Sequence, residues 1–194
     1  MLLLLCLVSS ISLAAPEKQL KTYSIPLPAK ADFSSLDWLI GEWEGKTTEK
    51  SPQGGVHLSA AYDLDQRFIV LRERVTFAAT PSSPEVDESW LGILSGGTGG
   101  KDFILRAFSS TGFITRYRVT VNQAEIRFIP EGGEQPPPGW LFRRVVARSG
   151  VGELTETVEA APPDGSFFDY YAAKLIHPGP PSAAPLSSDK KSPE

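Results

Sequence analysis

The sequence predicts an all-β protein, a ten-stranded antiparallel up-and-down β-barrel with a short N-terminal helical turn. Three observations lead to this fold class. Nearly every window between residues 32 and 177 alternates with a period of two. Glycine, proline or charged turn residues interrupt the alternation about every ten to fifteen residues. A meander of ten strands would expose two sheet edges unless it closed, so a barrel is favoured over an open sheet.

The segment 37–45, DWLIGEWEG, predicts one helical turn that runs directly into the first strand. Ser34 and Asp37 have the spacing of a capping box, and Gly41 is a poor helix former that limits the turn. Beyond the turn, alternation places Trp43 on one face between Gly41 and Gly45. We therefore expect Trp43 to be a large apolar plug at the closed end of the barrel, and we include it among the candidate ligand contacts.

The strands follow from the alternating segments and the turns between them. Short turns at 110–112, 122–123 and 149–151 require antiparallel neighbours. The longest loops are predicted at 81–87 and in the proline-rich segment 132–139. The predicted strands are 40–49, 55–64, 67–77, 87–95, 101–109, 112–120, 123–130, 139–149, 151–160 and 166–176.

The two ends of the chain differ from the barrel segment in composition. Residues 1–15 form an apolar run that ends in small residues, which predicts an export signal, although no basic residue precedes the run. Residues 16–31 are rich in proline and lysine and predict a linker, and the proline-rich tail 178–194 predicts disorder. The barrel domain is therefore predicted at 32–177, in a protein exported to the periplasm or secreted.

Composition excludes several classes of partner. The formal net charge of −4 gives no basic footprint for nucleic acid. The apolar run at the N-terminus is shorter than the roughly 20 residues that a membrane-spanning helix requires. Cys6, the single cysteine, lies in the predicted signal, so thiol chemistry is not expected in the mature protein.

The segment 36–45, LDWLIGEWEG, followed by ten short strands and no closing helix, resembles the opening of the nitrobindin-type and lipocalin-like calycin barrels. The resemblance implies an apolar ligand in the barrel interior. Nitrobindins hold haem through a histidine on the last strand, and the corresponding places here are Asp169, Tyr170 or Tyr171. Because tyrosinate can ligate haem iron, Tyr170 and Tyr171 become candidate ligand contacts and haem a candidate cofactor.

Charged residues on the predicted strands add further candidates. Glu73 shares a face with apolar residues, so we expect its carboxylate to be paired or hydrogen-bonded. Arg72 and Arg116 each share a face with a second arginine. If these faces line the cavity, they would hold an anionic group; if they face outward, they are solvated and pair across strands.

No catalytic constellation emerges from the sequence. No Gly-x-Ser-x-Gly motif is present, so the sequence gives no sign of a serine nucleophile. His57 and His177 lie far apart in the chain, so a zinc site is not expected. The glycine-rich segment 96–102 leads into a strand, so we interpret it as a hairpin loop rather than a phosphate-binding loop.

The leading hypothesis is therefore an exported, non-enzymatic barrel that binds a small apolar or anionic amphipathic molecule, lipid-like or haem-like, in its interior. A cell-envelope interaction module with a solid core is the alternative, and a hydrolase or isomerase of the barrel interior is a second alternative.

Overall fold

A computed structural model describes residues 25–97 and 102–178. The strands form one closed antiparallel barrel in the order β1-β10-β9-β8-β7-β6-β5-β4-β3-β2, which confirms the predicted fold class. Each strand pairs with its sequence neighbours, and β1 closes the barrel against β10. The strands are β1 (Gly41–Thr47), β2 (Gly54–Asp63), β3 (Phe68–Phe77), β4 (Val86–Gly96), β5 (Phe103–Ser109), β6 (Ile114–Val121), β7 (Glu125–Gln135), β8 (Leu141–Gly150), β9 (Glu153–Ala161) and β10 (Phe168–Ile176).

Several predicted features lie outside the described residues. These are the export signal 1–15, most of the linker, the tail beyond 178 and the middle of the glycine-rich loop. The strands that flank this loop, β4 and β5, pair antiparallel, as the hairpin interpretation requires. No helix in the described ranges is long and apolar enough to cross a membrane.

Strand β7 is longer than the sequence predicted. It continues to Gln135, so the expected loop at 132–139 is wrong in its first half. Two register shifts in the β6–β7 pairing absorb the extra residues, and Gly132 has a φ of 115°. A bulge of this kind lets a strand continue through a sequence that does not alternate, and glycine tolerates the positive φ.

The helical turn is a 3-10 helix at Ser34–Leu39, without the predicted capping box. The Asp32 carboxylate instead accepts a hydrogen bond from the Ser34 N–H at 3.0 Å. The Asp37 carboxylate accepts a hydrogen bond from the Tyr62 hydroxyl, so it is engaged by the neighbouring strand rather than by the helix start. The predicted capping box is therefore wrong, because the hydrogen bond from Tyr62 orients the Asp37 carboxylate away from the start of the helix.

The 3-10 helix closes one end of the barrel. Its Leu36 and Leu39 side chains are fully buried, and the preceding Phe33 stacks on Phe103 of β5 with ring centroids 5.3 Å apart. The Trp43 indole N–H donates to the Leu39 carbonyl at 2.8 Å. Trp43 is therefore the buried plug that the sequence predicted at this end.

Closure between β1 and β10 depends on the missing side chain of Gly45. A Cβ at this position would overlap the backbone carbonyl of Lys174, whereas a Cβ at Gly55, on the neighbouring strand, would meet open space. We expect Gly45→Ala to lower the free energy of unfolding by about 1–3 kcal/mol, as overpacking does, because the obstructing atom is backbone. Urea denaturation measures the loss, and Gly55→Ala is the matched control. Equal stability of the two variants would contradict the close-approach argument.

Candidate functional site

A cavity of about 230 Å³ lies inside the barrel, toward the end opposite the 3-10 helix. The loops that follow β5, β7 and β9 meet at this end, because an up-and-down barrel places alternate connections together. Its lining combines aromatic and aliphatic side chains with a few polar groups: Glu73, Val75, Glu88, Ser89, Trp90, Leu105, Ala107, Ser109, Ser110, Thr111, Phe113, Thr115, Tyr117, Phe128, Pro137, Phe142, Arg143, Arg144, Val158, Tyr170 and Tyr171.

The sequence of β5 explains why this end is hollow. Its inward positions carry successively smaller side chains, from Phe103 at the closed end through Leu105 and Ala107 to Ser109 at the mouth. A second contribution comes from β7 and β8, which pair only over residues 125–128 and 144–147 and separate toward the mouth. The interior therefore has a packed half and an open half.

A charged cluster forms one wall of the cavity. The Arg144 guanidinium, on β8, donates through Nη1 to both Glu73 Oε2 on β3 and Glu156 Oε1 on β9. The Tyr171 hydroxyl, on β10, donates to Glu73 Oε1 at 2.8 Å. Glu73 and Glu156 are only 3% and 0% exposed, so the expectation that Glu73 must be paired is met by a cation and a phenol.

The two carboxyl groups titrate as a pair. Burial, together with the charge of Glu73, raises the pKa of Glu156 to about 8. Burial also pushes the pKa of Glu73 upward, but the charge and hydrogen bonds of Arg144 outweigh it and leave this pKa below its ordinary value. A carboxyl group with a pKa of about 8 keeps its proton at pH 7. Near neutral pH the cluster therefore holds one carboxylate, one carboxylic acid and one guanidinium.

The cluster is arranged to present Arg144 rather than an acid or a base. Both oxygens of Glu73 already accept hydrogen bonds, and Glu156 is not among the residues that line the cavity. The Arg144 side chain lines the cavity and is 16% exposed, with its guanidinium carbon 4.7 Å from the centroid of the Trp90 ring. Arg144 is thus the charged donor that a bound molecule would meet.

Three of the six predicted site residues lie together at the cavity: Glu73, Tyr170 and Tyr171. Consecutive residues of a regular strand would face opposite sides, but the β10 register shifts between Asp169 and Tyr171. Tyr170 therefore also reaches the mouth, where its hydroxyl donates to Glu88 at 3.0 Å. The sequence alone could not fix this register.

The other three predicted site residues lie elsewhere. Trp43 packs at the closed end and does not line the cavity. Arg72 and Arg116 point outward, because each is next in sequence to a residue that points inward. Arg72 borders a depression on the outer surface. The Arg116 side chain faces Glu131. The pleat of the strands therefore places both arginines on the outer face of the barrel. This is the second of the two orientations that the sequence left open, and it corrects the prediction that they contact a ligand in the interior.

The residues at the cavity do not fit the ligation of haem iron. The Tyr171 hydroxyl is committed to Glu73, and burial raises its pKa well above the ordinary value. Burial and Glu88 raise the pKa of Tyr170 to about 12, so neither phenol is poised to become tyrosinate. Of the two histidines, His57 lies on the outer face beside Glu42, and His177 contacts Trp43 at the closed end. Over residues 25–97 and 102–178, no group of three His, Cys, Asp or Glu side chains is placed to hold a metal ion.

Comparison with known proteins supports the fold. No family model matches this chain, and no curated protein matches it either. Among solved structures it is similar to the crystal structure of Rv2717c from M. tuberculosis, with a TM-score of 0.56 and 16% sequence identity. The match covers 76% of this chain and 97% of that chain. At this identity the similarity establishes the barrel architecture alone.

Proposed function

We propose that this protein is an exported, non-enzymatic barrel of the nitrobindin-like or lipocalin-like kind that binds a small apolar ligand in its interior. The observation that carries the proposal is the cavity of about 230 Å³, which aromatic and aliphatic side chains enclose around a single buried guanidinium. Binding sites for small molecules have this composition, with mostly apolar walls and a few placed polar groups.

The cavity volume narrows the size of the ligand. An apolar cavity of about 150 Å³ accommodates benzene, and pockets for drug-sized ligands run from about 300 to 1,000 Å³. A volume of about 230 Å³ therefore suits a molecule of one ring with a short substituent. A porphyrin or a long acyl chain would have to leave most of its surface outside.

Binding without catalysis is favoured by the state of the carboxyl groups. A general base must reach the proton that it removes, but both oxygens of Glu73 are engaged by Arg144 and Tyr171. Glu88, at the mouth, already accepts the Tyr170 hydroxyl. The cluster therefore serves as a fixed polar anchor.

An interaction module is the second candidate function, and one surface feature favours it. Trp140, Leu141 and Phe168 lie near one another beside the cavity mouth and are 40%, 48% and 47% exposed. Exposed apolar side chains that cluster in this way mark contact surfaces.

Filling the cavity tests the proposed function. Ala107 lines the cavity, whereas Ala61 is exposed on the outer face of β2. We expect the wild type to bind α-methylstyrene, a one-ring hydrocarbon, in calorimetric titration. Ala107→Leu should weaken this binding at least about tenfold, because the added side chain occupies the space that the ring needs.

The matched control Ala61→Leu should bind like the wild type. Unchanged binding in Ala107→Leu, or no binding of any one-ring probe to the wild type, would overturn the proposal. The absence of any binding would favour the interaction module, with the exposed side chains of Trp140, Leu141 and Phe168 as its contact surface.

A further inference from the structure

We infer that the ligand is uncharged and carries a carbonyl-type hydrogen-bond acceptor, which Arg144 holds at the base of the cavity. The inference rests on the proposed function and adds the chemical class of the molecule. It departs from the anionic amphipath that the sequence left open as a ligand.

The first step is the availability of donors on Arg144. A guanidinium has five N–H donors, and the two hydrogen bonds from Arg144 to carboxylates both use Nη1. The donors on Nε and Nη2 have no bond to the described residues, and the side chain is accessible from the cavity. A ligand that fills the cavity would shield these donors from water, and a donor left without a partner is costly, so an acceptor on the ligand would be favoured at this point.

The second step is that Arg144 is held in place before a ligand arrives. Glu73 and Glu156 fix Nη1 from two different strands, and the guanidinium carbon lies 4.7 Å from the centroid of the Trp90 ring. A donor fixed in this way loses little conformational entropy on binding. The acceptor group of the ligand therefore meets a guanidinium whose N–H donors are fixed in direction as well as charged.

The third step is the balance of charge, which disfavours an anion. Glu73 and Glu88 line the cavity together with Arg143 and Arg144. Arg143 is already paired with Glu159, and Glu156 stands behind Arg144. Even with one carboxyl proton in the cluster, these groups carry at least as much negative as positive charge. A carboxylate brought into the cavity would meet no uncompensated cation, and its desolvation would not be offset.

Three probes of nearly the same shape separate the possibilities. α-Methylstyrene has no strong acceptor, acetophenone has a neutral carbonyl in the same place, and benzoate has a carboxylate. At pH 7 we expect acetophenone to bind the wild type about tenfold more tightly than α-methylstyrene, the effect of one hydrogen bond to a charged donor. Benzoate should bind more weakly than both.

The outcomes distinguish this inference from the proposed function. If no probe binds, the proposed function fails. If α-methylstyrene binds but acetophenone gains nothing, or if benzoate binds most tightly, the cavity is a binding site and the inference about ligand class is wrong.

A double variant tests the charge argument directly. Glu73→Gln with Glu156→Gln keeps hydrogen-bond acceptors for Arg144 but removes the negative charge of the cluster at every pH. We expect benzoate to become the tightest of the three probes in this variant. An unchanged order in a variant that remains folded by circular dichroism would show that the carboxylates do not set the charge preference.

Discussion

Replacing Arg144 with methionine is expected to lower the free energy of unfolding by about 3–5 kcal/mol, the usual cost of breaking a buried ion pair from one side. Arg144 is the cation between the two most deeply buried carboxyl groups of the described residues, Glu73 and Glu156. Without it, at least one carboxyl group must take up a further proton or remain charged in an apolar interior. Methionine fills the space but supplies neither charge nor donors.

The neighbouring arginine provides the control. Arg143 is paired with Glu159 and its side chain is 43% exposed, so Arg143→Met should cost at most about 1 kcal/mol. Urea denaturation at pH 7 compares the two variants with the wild type. A similar small loss in both would mean that the buried cluster contributes no more than a surface ion pair.

The barrel could be predicted because the alternation of apolar and polar residues within each strand shows which face is buried. In β9, for example, Leu154, Val158 and Ala160 alternate with more exposed residues, and the period alone identifies a strand with one buried face. Strand β7 shows the limit of this signal. Its extension through Gly132 depends on pairing with β6 across a bulge, and no local pattern encodes a partner's register.

The candidate site was only partly predictable, for a related reason. Glu73 stood out because an acid interrupted an apolar face, and the same signal was present at Glu156, between Leu154 and Val158. Arg144 shares an inward face with Phe142 and Val146, but it is absent from the predicted site residues, because two consecutive arginines do not show by themselves which one faces inward. That these groups meet follows from barrel closure, which brings β3, β8 and β9 around one interior.

We expect the free energy of unfolding to depend on pH because Glu156 holds a proton in the folded protein. Its pKa in the folded protein is about 8, against about 4.5 for the unfolded chain, so the folded state binds an extra proton between these values. This contribution is fully present below about pH 4.5 and is lost as the pH rises through about 8. At about 1.4 kcal/mol for each pH unit, the loss amounts to a few kcal/mol. Wild-type stability should therefore fall between pH 5 and pH 9.

Glu156→Gln should remove this fall, because glutamine mimics the protonated acid and does not titrate. We expect the variant to match the wild type near pH 5 and to exceed it increasingly up to pH 9, as measured by urea denaturation across this range. Glu159→Gln is the control, because Arg143 holds the pKa of Glu159 below its ordinary value, so the folded state binds no extra proton there. Parallel curves for the wild type and Glu156→Gln would mean that Glu156 is ionised throughout, and that Arg144 alone neutralises two buried carboxylates.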